Sequence, residues 1–161
     1  MSATLVIIAL TVLISLRALN SPVMLQKWMM NPYMVFHRKE FWRLISSGFI
    51  HGSFIHLGFN MFTFFFFGRV VEEIFSELMG TTGLVVYVLF YISAIIISDL
   101  PGAWKKRDQI NYNSLGASGA VSAMVFASIL YFPLNDICLY GLLCIPGFIL
   151  GIVYVIYSYF Q

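Results

Sequence analysis

His51, His56 and Asn60 enter one apolar segment of the chain, and Ser118 lies within Gly116-Ala117-Ser118-Gly119 at the head of another. A hydrogen-bonding or ionisable side chain at membrane depth costs on the order of a few kcal/mol, so its default reading is functional, facing a cavity or a partner helix. A hydroxyl, two imidazoles and a carboxamide are groups that suit acyl transfer inside a membrane. Taken singly, each has a plainer reading, because an intramembrane Ser or Asn more often makes a helix-packing hydrogen bond worth about 0.6 to 2 kcal/mol. Their combination favours chemistry.

The elements that must position these groups are apolar helices. The 161 residues are 60% hydrophobic and only 10% charged, with a mean hydropathy of +0.89, against roughly 25% charged residues in ordinary soluble domains. Residues 1–161 are therefore expected to form a single membrane domain, an all-α polytopic bundle with about five transmembrane helices, since each crossing needs about 20 apolar residues. The expected spans are Ala3–Leu19, Phe54–Val71, Gly83–Ile97, Leu115–Phe132 and Ile137–Phe160, with Pro146 inside the last. The first lacks the basic leader and cleavage site of a signal peptide and is read as a retained helix. Residues 20–50 hold Pro22, Trp28, Pro32, Tyr33, Trp42 and several bases, which predicts a partly helical segment lying in the membrane interface. A net charge of +2 is too small and too scattered to argue for nucleic acid.

Local signals place the chemistry on these helices. Ser53 is a candidate N-cap, which puts His51 before the second span and sets His56 and Asn60, four residues apart, on one of its faces. Ser118 falls near the start of the fourth span, where open backbone N–H groups and the helix dipole favour negative charge such as a developing oxyanion. Gly119, Ala123 and Ala127 recur at every fourth position and allow another backbone to approach closely. Cys138 and Cys144 are separated by about 240° of helix rotation, so they share no face, match no zinc spacing and are expected to be buried free thiols.

The string His51-Gly52-Ser53-Phe54-Ile55-His56-Leu57-Gly58-Phe59-Asn60-Met61, preceded by Trp42-Arg43 and followed by Gly116-Ala117-Ser118-Gly119, resembles the rhomboid family of intramembrane serine proteases. The four-residue motif alone is a weak signal, and Ala120 distinguishes it from the hydrolase elbow G-x-S-x-G. The resemblance implies a bundle of six core helices that cleaves transmembrane protein substrates near the surface of the lipid bilayer, without metal or cofactor. It implies Ser118 as nucleophile, and His51 and Asn60, with the Ser118 backbone N–H, as the oxyanion hole. His56 would support that region, with Gly116 and Gly119 flanking the nucleophile. Trp42 and Arg43 match a structural pair of the family's first loop, and Glu72 matches a carboxylate that ties the end of the second helix. The implied localisation is an integral, multi-pass protein of a bacterial plasma membrane.

The family's general base is a histidine on the sixth core helix, and no residue up to Gln161 matches it, so the dyad partner is expected beyond that point. Serine needs an adjacent base, and these residues alone are expected to be inactive. A second departure is Ser122, where many members carry a tyrosine. A different class of reading follows from the missing base: a catalytically inactive rhomboid-like protein that binds transmembrane clients. Intact Gly116-Ala117-Ser118-Gly119 and Asn60 weigh against it. The basic residues crowd the side of the long loop, with Arg69 alone opposite, which by the positive-inside rule places that loop in the cytoplasm, whereas the resemblance places it outside.

Overall fold

The computed structural model describes residues 2–139 and 143–159. Helix α1 (Ala3–Leu19) starts behind Ser2, whose Oγ accepts the Leu5 N–H. Helices α2 (Pro22–Trp28) and α3 (Pro32–Arg38) each open with a proline behind a side-chain cap, Ser21 and Asn31 respectively. Proline suits that position because its missing N–H is one of the unpaired donors of a first turn. The short α4 (Arg43–Ser46) runs into a 3-10 turn at Ser47–Phe49. Ser53 caps α5 (Phe54–Met79), and a 3-10 turn at Gly80–Thr82 leads into α6 (Gly83–Lys105). Helix α7 (Ser118–Tyr131) is followed by an antiparallel hairpin of β1 (Asp136–Leu139) and β2 (Leu143–Pro146), and then by α8 (Gly147–Tyr159).

Helices α5, α6 and α7 pack on one another, and α1 lies along α5. Their shared core holds Leu57, Met61 and Phe64 of α5, Tyr87 and Tyr91 of α6, and Met124 of α7. The segment between α1 and α5 is partly helical, as its composition suggested. Arg43, itself buried, staples it: Nη1 donates to the carbonyls of Gln26 at 3.1 Å and Met29 at 2.8 Å, while Nε pairs with Glu40. Trp42 is half exposed beside it. An antiparallel bridge between Met30 and Ser114 ties this segment to the residues leading into α7.

The expected all-α bundle of about five crossings, and the multi-pass bacterial placement built on it, are corrected by this structure. Among the described residues, one helical stretch, 54–105, is long and apolar enough to cross a membrane. Ala3–Leu19 and Ser118–Tyr131 are shorter apolar helices of 17 and 14 residues. At 1.5 Å per residue they extend about 26 and 21 Å, against a hydrocarbon core of about 30 Å. Apolar composition overstated the fourth span because Leu115 to Ala117 form an irregular turn rather than helix. The third was understated, since α6 continues through Pro101, which removes one backbone hydrogen bond without ending the helix.

The fifth expected span reaches outside the described residues at 140–142 and 160. Its described part is the hairpin and the 13 residues of α8. Cys138 and Cys144 stand opposite each other in the register of β1 and β2. Cys144 is disulfide-bonded and no free cysteine occurs among the described residues, which corrects the expected free thiols. A separation that spoils a shared helix face sets two residues opposite across a hairpin.

Candidate active site

The turn before α7 is held from three sides. Gly116 adopts φ +114°, a region that side-chain-bearing residues rarely enter. Its N–H donates to the Ser47 carbonyl at 2.9 Å, and a Cβ there would lie 2.6 Å from His56 Cε1. Ala117 is buried, and its N–H donates to His51 Nε2 at 3.4 Å. Ser118 is then the first residue of α7, exposed, on a helix whose start carries no side-chain cap. The open N–H groups of that first turn favour negative charge in front of it. At Gly119 a Cβ would sit 2.0 Å from Ser98 Oγ of α6, so glycine permits the close approach of these two helices.

Helix α5 supplies the facing groups. The Ser53 cap accepts the His56 N–H at 3.2 Å, and one turn further Asn60 is buried with its Nδ2 lacking any hydrogen-bond partner. Asn60 and Ser118 line a cavity of about 230 Å³ together with Thr63, Val121, Phe126 and Gly151. A hydroxyl and an unpaired amide donor thus share one largely apolar chamber. His56 lies against Gly116, and its ring stands edge-on to that of His51 with centroids 5.0 Å apart.

His51 is fully buried, with Nδ1 2.9 Å from Ser15 Oγ of α1 and Nε2 facing the Ala117 amide. Burial, and secondarily the charge His56 can carry, push its pKa down to about 4, so it is neutral near pH 7. The structure therefore brings Ser118 and Asn60 to one cavity, lays His56 on the flanking glycine, and sets His51 behind the turn. Glu72 lies elsewhere: its carboxylate accepts from Ser2 Oγ at 2.7 Å, Ala3 N–H at 2.7 Å and Thr4 N–H at 3.0 Å. It joins α5 to the start of α1. Sequence reasoning missed Ser15, Ser47 and Ser98. For Ser15 a signal existed, because Thr4, Thr11, Ser15 and Ala18 recur at helical spacing and all four are fully buried on one face of α1.

A strongly apolar helical fold, in which a Gly-Ala-Ser-Gly turn packs against a helix bearing histidine and asparagine, defines a rhomboid-type domain. The family model described as Rhomboid domain matches residues 38–160, and the chain belongs to the rhomboid family. It is also similar to RHOMBOID-like protein 12, mitochondrial, of Arabidopsis thaliana, at 30% identity over 79% of this chain. The match spans 41% of that relative's length.

Proposed function

We propose that this protein is an intramembrane serine endopeptidase that hydrolyses peptide bonds of transmembrane protein substrates near the surface of the lipid bilayer. One observation carries the reading: the unpaired Asn60 Nδ2 and Ser118, at the uncapped start of α7, line the same cavity. A buried N–H without an acceptor costs about 1 to 3 kcal/mol. That cost is offset if an oxyanion supplies the acceptor during the reaction.

In this mechanism Ser118 Oγ attacks the scissile carbonyl, and the oxyanion accepts from Asn60 Nδ2 and from the open N–H groups of α7. His56, with no ring hydrogen bond among the described residues, is the imidazole left to donate beside Asn60. His51 has both ring nitrogens engaged, and its part is to hold the turn rather than to touch the oxyanion. The family pattern assigns the base that takes the Ser118 proton to a histidine past Gln161.

A fluorophosphonate probe, which reacts with activated serines, is expected to modify the protein at Ser118 and to leave Ser118→Ala unmodified. The inactive, client-binding reading is favoured by one feature: among the described residues no imidazole is hydrogen-bonded to Ser118 Oγ. Failure of the probe, with transmembrane clients still captured, would replace the protease reading by that one.

A further inference from the structure

We infer that Ser15 on α1 is a positioning residue for the nucleophile turn, fixing the proton of His51 on Nδ1 so that Nε2 remains the acceptor for the Ala117 N–H. Three contacts admit a single arrangement of protons. The Ala117 amide can only donate, so the His51 Nε2 it faces at 3.4 Å carries a lone pair. A neutral imidazole then bears its proton on Nδ1, and Ser15 Oγ, 2.9 Å away, accepts it. Ser15 keeps its own proton for the Phe49 carbonyl at 3.0 Å, which can only accept. Each hydrogen is used once and no buried group of the relay is left over.

The other tautomer fails at two points. A proton on Nε2 would oppose the Ala117 N–H, donor against donor, and Nδ1 would compete with Phe49 for the one Ser15 hydrogen. Both Ser15 and His51 are fully buried, so water is not at hand to repair either fault, and an unpaired buried donor is costly. The low pKa of His51 agrees with a ring that stays neutral. Helix α1 contributes no residue to the cavity, yet through this relay it sets the peptide immediately before Ser118. The consequence for catalysis rests on the protease reading; the tautomer does not.

The test is nitrogen NMR of the protein labelled with ¹⁵N-histidine, with His51→Gln used to assign the resonances, beside hydrogen exchange at the Ala117 amide. In the wild type at neutral pH, His51 is expected to show a protonated Nδ1 and an unprotonated Nε2. Ser15→Ala should shift proton population to Nε2 and speed Ala117 exchange on the order of tenfold. Ser15→Thr, which keeps the hydroxyl, should restore both. In a cleavage assay Ser15→Ala should lower kcat with KM unchanged. A wild-type His51 protonated on Nε2 would overturn the inference, as would Ser15→Ala leaving tautomer and exchange unaltered. Neither readout needs substrate, so both decide the inference even if Ser118 proves unreactive.

Discussion

Replacing Asn60 by Ala separates a catalytic from a structural role, because the two predict opposite effects on stability. A carboxamide that holds helices together would cost the fold its hydrogen bonds when removed. Asn60 Nδ2 is instead buried without a partner, so its removal lifts a desolvation penalty of about 1 to 3 kcal/mol. Against that gain stands the lost packing of a side chain bordering a cavity of about 230 Å³, a space already present and only modestly enlarged. The net change in unfolding free energy should stay within about 1 kcal/mol of zero. Loss of one oxyanion donor, by contrast, should lower kcat by about 10² to 10³, or about 2.7 to 4 kcal/mol of transition-state stabilisation. The assay pairs kcat and KM for a transmembrane substrate in lipid vesicles with unfolding of the same variant by denaturing detergent. Asn60→Asp, which puts an acceptor where the oxyanion needs a donor, should be no more active than Asn60→Ala. Unaltered kcat, or a destabilisation above about 3 kcal/mol that accounts for the lost activity, would refute the reasoning.

Gly116→Ala should destabilise by about 1 to 3 kcal/mol, because it imposes φ +114° on an L residue and drives a methyl into the His56 ring; thermal unfolding measures it. Glu72→Gln weakens the carboxylate bonds to Ser2, Ala3 and Thr4 and should cost about 2 kcal/mol of stability with little change in kcat. His51 supplies a pH dependence with a definite sign. Its folded pKa of about 4 lies below the ordinary 6.5, so the unfolded chain binds more protons between those values. Stability from this residue is full above about pH 6.5 and falls as pH drops toward 4, by about 3 kcal/mol. Denaturation of wild type and His51→Gln across that range should show the slope only in the wild type.

How far the sequence announced this structure depends on which physical signal each element carries. The start of α5 was legible because Ser53 is a strong cap and the spacing of His56 and Asn60 needs only a helix to place both on one face. The position of Ser118 at a helix start was legible from its glycines. The number of crossings was not, since hydropathy counts apolar residues without saying which form turns. The hairpin after α7 was hidden for a related reason: a short apolar run reads equally as strand or helix until cross-strand pairing decides. The place of His51 was also illegible, because its partner Ser15 lies 36 residues earlier in the chain. Proximity to the motif suggested an oxyanion donor, whereas the buried contacts to Ser15 and Ala117 put the ring behind the turn.

Cleavage of a transmembrane substrate in lipid vesicles by wild type and by Ser118→Ala, with the product termini read by mass spectrometry, tests the proposed chemistry most directly. A cut near the membrane surface by the wild type, reduced on the order of 10⁴-fold or more in Ser118→Ala, is the expected result. Equal cleavage by both proteins, or binding of the substrate by both with no cleavage, would contradict a nucleophilic Ser118.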